Sequence, residues 1–274
     1  MEAILTWTSY FHEKTILVTG AGNGIGRGLA ISLSQYCKSL ILIDIHESNL
    51  EETANLCSSR TSLRRLTLDV RDAQKCSAEL LSCPCPDIII ANAGLGGLNP
   101  ANGFSTTIDH KIMSVNYFGT VNCIAPFLPQ LLQRGSGHIV GMCSLASMRG
   151  LLHATSYSAS KAAQLSFLES LRLELQPHGI QVTTLLPGFI QTQMADHNEF
   201  PMPFTISVER CVEISLRSIA RKKRHVMFPF PMNILGLINR ILPVWLYDPI
   251  MRLINKNQDQ AKAQIFTNSN QSTE

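Results

Sequence analysis

Short, β-branched apolar runs alternate with helix-patterned stretches along most of the chain, and this alternation constrains the fold more than any other feature. The runs are Thr15–Val18, Leu40–Ile43, Leu63–Leu68 and Asp87–Ile90, each bounded by polar, glycine or proline positions. They are short and mostly apolar, without a strict alternation, which suits parallel strands covered on both faces. Further candidates follow at His138–Met142 and Gln181–Leu186, and helical patterns lie near 25–36, 47–58, 71–82, 109–133 and 156–176. The succession predicts an α/β fold, a doubly wound parallel sheet with right-handed crossovers. With no solenoid repeat or low-complexity linker, one domain is expected over 10–230. Residues 231–274 form a C-terminal extension, apolar and then polar.

Composition removes several classes of function. Hydrophobic residues make up 45% and charged residues 16% of the 274, which argues against disorder. The net charge of +3 is small and the one compact basic cluster is Arg221–Arg224, so no nucleic-acid footprint is expected. Eight cysteines sit at irregular spacings, and Cys83 and Cys85 flank a single proline, which fits neither a zinc knuckle nor a redox pair. No metal centre is predicted, and free thiols in a reducing compartment are the simpler reading. The first residues carry an acid at Glu2 and no basic leader, so the expected location is cytoplasmic.

Gly20, Gly24 and Gly26 follow the first strand directly, at the turn into the next helix. Glycines there let the backbone approach a pyrophosphate, and the helix N-terminus offers it free N–H groups. Asn23 and Ile25 lie between them and are counted with the same cofactor contact. The spacing fits the G-x-G-x-x-G fingerprint at no register, so a plain strand-to-helix turn stays open. Asp44 ends the second run, where a carboxylate can accept from ribose hydroxyls and repel a 2′-phosphate. No cation at Asn23 or Ile45 offsets it, so NAD is favoured over NADP; Asp44 could also cap the next helix.

Tyr157 and Lys161 stand four apart and share a helical face. An ammonium beside a phenol favours the phenolate, as a tyrosine general acid/base needs. Ser144 ends the predicted fifth strand, at the edge where ligands meet open α/β sheets. A core tyrosine, a solvated lysine and a turn serine would be the bland alternatives.

Taken together, Gly20, Gly24 and Gly26, the Asn92–Gly94 triplet, Asn116, Ser144, Tyr157 with Lys161, and Pro187–Gly188 with Thr192 resemble the short-chain dehydrogenases/reductases in order and spacing over about 14–192. The resemblance implies a Rossmann-type oxidoreductase moving a hydride between a nicotinamide and an alcohol or ketone. It makes Tyr157 the acid/base, Lys161 its electrostatic partner and a ribose ligand, Ser144 the holder of the substrate oxygen, and Asn116 the member that keeps a water near Lys161. It also implies that Asp69 and Val70 touch the adenine, that Asn92, Ala93 and Gly94 line the cofactor cleft, and that Pro187, Gly188, Ile190 and Thr192 flank the nicotinamide. Two departures stand out: Ala91 where a second asparagine is frequent, and Cys143 beside the catalytic serine. A homodimer or homotetramer through the helices near 109–133 and 156–176 is a further implication.

An NADPH-dependent ketone reductase and a non-catalytic nucleotide sensor are the competing functions. Residues 193–208 are expected to form the lid over an apolar substrate. Residues 226–239 carry no charge, and two prolines make them too broken and too short for a bilayer span of about 20 residues. With Arg221–Arg224 before it and Trp245 and Tyr247 after, this segment either packs over the substrate cleft or lies in a membrane interface.

Overall fold

The computed structural model describes residues 7–192, 202 and 204–253. Seven strands form one parallel sheet: β1 (Thr15–Thr19), β2 (Ser39–Asp44), β3 (Ser62–Thr67), β4 (Ile88–Ala91), β5 (Gly137–Met142), β6 (Ile180–Pro187) and β7 (His225–Phe228). Their spatial order is β3-β2-β1-β4-β5-β6-β7. The order reverses between β1 and β4, which register Ile16 against Ile88 and Val18 against Ile90. That reversal opens the crevice where ligands bind in such sheets.

The apolar runs are continuous because each strand feeds two cores. Ile16 and Val18 enter one layer and Leu17 the other; Ile88 and Ile90 part in the same way from Ile89 and Ala91. β3 departs from this pattern. It is the sheet edge, and Arg64 and Arg65 stand exposed on it, with Arg64 held by Ser82. Charged side chains on an edge discourage pairing with another chain.

Helices α1 (Gly24–Leu33), α2 (Glu47–Leu56) and α3 (Ala73–Leu81) connect the first four strands. The helix expected near 109–133 is several pieces: α4 (Thr106–Met113), a π-turn over Ser114–Phe118, α5 (Gly119–Ile124) and α6 (Leu128–Arg134). Pro126 and Pro129, which lack the N–H a continuous ladder needs, fall where α5 gives way to a 3₁₀ turn and α6 begins. Helix α7 (Thr155–Leu175) is unbroken, and α8 (Val208–Ala220) leads to β7. The seventh strand is absent from the sequence reading, which takes 226–239 as the start of a tail. Instead Val226–Phe228 pair with Leu185–Pro187, and α9 (Phe230–Ile241) begins two residues later.

Near the N-terminal end of β5, the end of the sheet away from the crevice, His138 is buried between Tyr10 and Thr183. Thr183 Oγ1 donates to the Lys223 carbonyl, so it accepts from His138 Nε2–H, and His138 Nδ1 accepts from the Tyr10 hydroxyl. This arrangement is that of a neutral ring. Burial, aided by the charges of Lys222 and Lys14, holds its pKa down at about 3. An unfolded imidazole protonates near its ordinary value while this one does not, so stability falls as pH is lowered from about 6.5 toward 3. Between about pH 7 and about pH 5 the protein should lose about 2 kcal/mol more than its His138→Gln variant, measured by urea unfolding. Equal losses would contradict the buried neutral state.

Candidate active site

Two loops meet at the crevice, one after β1 and one after β4. Asn92 Nδ2 donates to the Thr19 carbonyl at 2.9 Å, and the Asn92 and Ala93 N–H groups both donate to Thr19 Oγ1. Gly20 has φ +64° and Gly24 φ +50°, conformations that side chains rarely adopt. Gly26 meets a harder limit: a Cβ there would lie 1.9 Å from the Gly20 carbonyl oxygen and 2.6 Å from Asn92 Nδ2. Asn23 caps α1, its Oδ1 accepting from the Gly24 N–H at 2.7 Å. Ile25 is half-buried in the first turn, against the same core as β1.

Asp44 stands at the end of β2 and is tied to this loop. Its Oδ2 accepts from Gly22 N–H at 2.9 Å and its Oδ1 from His46 N–H. A Cβ on Gly22 would come within 2.8 Å of the carboxylate. The sequence reading passes over Gly22; its place inside the glycine cluster was the signal. The carboxylate thus both orders the loop and steadies the start of α2, while its remaining lone pairs can accept from a ribose. Thr192 approaches from the end of β6, its Cγ2 3.6 Å from a Cβ built on Gly24. Ile190 is buried beside it and bridges to Ile206.

Asp69 and Val70 follow β3. Asp69 forms a two-point ion pair with Arg71, whose guanidinium holds the carboxyl below its ordinary range. Val70 is buried against Gly119, and its carbonyl accepts from Asn122 Nδ2.

Ser144 follows β5, and its Oγ accepts from Ala146 N–H at the head of a short 3₁₀ turn. Tyr157 lies in the first turn of α7, with its phenol close enough to Ser144 for that hydroxyl to act on its pKa. Burial raises the phenol's pKa, opposite to the direction that the Tyr157/Lys161 spacing predicts; the lowering influence is Ser144. Lys161 is buried, and two of its three N–H donors go to the Met142 carbonyl and Gln164 Oε1, each at 2.9 Å. Burial lowers its pKa to about 8. The Cys143 thiol is buried and pushed up to about 12, which leaves it inert at neutral pH.

Asn116 sits in the π-turn and is fully buried. Its amide accepts from Leu95 N–H and donates to the Leu95 carbonyl and to Ser160 Oγ, pinning the β4 loop to α7. Its carbonyl accepts from Thr120 Oγ1, which accepts from Gln164 Nε2. Side chains therefore join Lys161 to Asn116 through Gln164 and Thr120. Neither intermediary is singled out by the sequence, although Gln164 stands one turn from Lys161. Gly94 lies against both ends, 3.2 Å from Asn116 Oδ1 and 3.5 Å from Lys161 Nζ when a Cβ is built on it.

The C-terminal extension packs against Leu145, next to Ser144 in sequence, and against Gly188 at the end of β6. A Cβ on Gly188 would sit 3.3 Å from Met232 and 3.4 Å from Leu145, and one on Gly236 3.1 Å from Leu145. Pro187 pairs with Phe228, and Gly188 N–H donates to the Phe228 carbonyl, which carries the chain into α9. Arg149 donates to the carbonyls of Asn239 and Leu242 and lies 3.8 Å over the Tyr247 ring, whose hydroxyl donates to the Gly150 carbonyl. Most of the expected lid, 193–201 and 203, lies outside the described residues.

A model of the short chain dehydrogenase family matches residues 14–200. The chain is 32% identical to an uncharacterized oxidoreductase of Myxococcus xanthus over 244 residues, covering 87% of this chain and 96% of that protein. A short chain dehydrogenase from Burkholderia cenocepacia, solved with NADP, superposes at TM-score 0.75 with 26% identity, covering 85% of this chain and 94% of that one. A short chain dehydrogenase/reductase from Burkholderia phymatum, solved with NAD, superposes at 0.77 with 21% identity, over 84% and 94%. The chain belongs to the short-chain dehydrogenase/reductase family of Rossmann-type oxidoreductases.

Proposed function

We propose that this protein is an NAD(H)-dependent oxidoreductase acting on an apolar alcohol or ketone, with Tyr157 as general acid/base. The observation that carries the reading is the Tyr157 phenol buried close enough to Ser144 to be influenced by it, one helical turn from a buried lysine. The glycine turn after β1 fits a dinucleotide: Gly20 and Gly26 let it close tightly on its own backbone and on Asn92, and the start of α1 offers N–H groups to a pyrophosphate. A bound nicotinamide supplies or accepts the hydride. The chain's own residues manage the proton and the oxygen. Ser144 orients the substrate oxygen toward Tyr157. Burial favours the neutral phenol, so Tyr157 is set to donate its proton to a ketone oxygen; in oxidation it takes the hydroxyl proton as the phenolate, the form that the nearby Lys161 ammonium favours. Lys161, held by Met142 and Gln164, keeps a donor for the phenol or a ribose. Leu145 and Met232 make the surface beside Gly188 apolar.

Solved relatives bind either dinucleotide, so the preference for NAD rests on Asp44. Titration with NADH and NADPH, followed by absorbance assays on a panel of ketones and secondary alcohols, tests the reading. Tighter NADPH binding would overturn the cofactor, and binding without turnover would assign a sensor. Replacing Asp44 by Ala and Ile45 by Arg should move the NADPH/NADH preference by about tenfold or more. The ratio is the readout, because loss of the Asp44–Gly22 hydrogen bond loosens the loop for both cofactors.

A further inference from the structure

The outer face of the C-terminal helices is apolar and held in place from behind. Phe230, Ile234, Ile238 and Ile241 recur at three- and four-residue spacing along α9, so they share one face. They are 74%, 47%, 48% and 79% exposed. Met232, Gly236 and Asn239 lie on the opposite face, where they meet Leu145, Gly188 and Arg149. The helix over 244–253 extends the exposed surface with Val244 and Trp245, 64% and 75% exposed. Single exposed apolar residues are ordinary; a continuous face anchored by the Arg149–Tyr247 stack is not.

Charge selects what covers it. Residues 221–253 hold six of the chain's 23 cationic side chains and one of its 20 acids, Asp248, so the remainder is net acidic. Arg221–Arg224 are exposed, and Arg240 lies near enough to His225 for its charge to depress that imidazole, which puts the basic turn at the Arg240 end of α9. A second copy docked about a two-fold axis would set these cations against their counterparts. A bilayer with anionic headgroups offers apolar depth and opposite charge together. Among the described residues no helix is long and apolar enough to cross a membrane, so the fitting mode is to lie in the interface.

We propose that α9 and the following helix dock this protein on an anionic lipid bilayer, with Phe230, Ile241 and Trp245 entering the headgroup boundary and Arg221–Arg224, Arg240 and Arg252 facing the lipid charge. The inference stands on exposure and charge and does not depend on the proposed cofactor or reaction. Flotation of the full chain on phosphatidylcholine vesicles containing about one third phosphatidylserine is the test. The protein should float with these vesicles at low salt, less at high salt, and weakly with phosphatidylcholine alone. The triple variant Ile234→Ser, Ile241→Ser, Trp245→Ser should bind about a hundredfold more weakly with unchanged NADH binding, since all three side chains face solvent. The vesicles should also shift the emission of Trp245 to the blue, a change absent in Trp245→Phe, where Trp7 is the remaining tryptophan. Absence of flotation at low salt, equal binding by the triple variant, or no emission shift would each overturn the proposal. Failure to float combined with a lower mass for the variant by light scattering would assign the face to a second copy.

Discussion

Tyr157→Phe should lower turnover by about a thousandfold while NADH affinity stays within a fewfold of the parent value. The substitution removes one oxygen, the atom proposed to exchange a proton with the substrate, and leaves the ring that packs at the start of α7. The glycine turn and Asp44, proposed to hold the far end of the cofactor, are untouched. The Ser144 hydroxyl keeps its contact with Ala146 N–H, so the stability cost should stay within about 1 kcal/mol. Steady-state kinetics with the best ketone of the panel, beside a fluorescence titration with NADH, separates the two effects. Turnover comparable to the parent would remove Tyr157 from the chemistry.

Gly26→Ala should be the most damaging single-methyl change in the chain. The new carbon would meet the Gly20 carbonyl oxygen at 1.9 Å, and the obstacle is backbone, which cannot swing away as a side-chain tip can. The β1–α1 turn must open, and the Asn92 amide that ties β1 to β4 moves with it. NADH affinity should fall by about a hundredfold or more, with a stability loss of about 2–4 kcal/mol by urea unfolding. Gly150→Ala is the matched control. A Cβ there meets nothing within 4 Å, and its expected effect is within about 0.5 kcal/mol. Similar behaviour of the two variants would mean that the turn is plastic and that its closeness does not set cofactor affinity.

The parts of the fold that were legible in the sequence are those in which one strand must satisfy two cores. Val18, Ile41 and Ile89 have no solvent side, and their neighbours have none either, so the runs stand out. β7 breaks that rule. His225 is exposed and Val226 and Met227 are half-buried, so the strand exists through its pairing with β6 more than through its own composition. The interruptions between α4 and α6 were open to reading at Pro126 and Pro129, but the π-turn that seats Asn116 has no such mark. In the candidate site, reactive side chain types at fixed spacing could be picked out, whereas the residues packed around them could not. Gln164 and Thr120 are polar groups on helices, a pattern shared with any solvated face, and only burial distinguishes them. The Arg149–Tyr247 stack joins residues nearly a hundred positions apart, beyond any local periodicity. Of the two fates open to the tail, the inner face of α9 shows packing against Leu145 and Gly188, and its outer face leaves the other to experiment.

The chain of contacts from Lys161 through Gln164 and Thr120 to Asn116 has a kinetic meaning. A surface lysine samples many rotamers, and aligning one for reaction costs about 2 kcal/mol of entropy at each encounter. Here the ammonium is fixed between a strand carbonyl and a buried amide whose own second end is fixed in turn. That ordering is completed once, when the chain folds, so no share of the barrier to each turnover should come from searching for the position of Lys161.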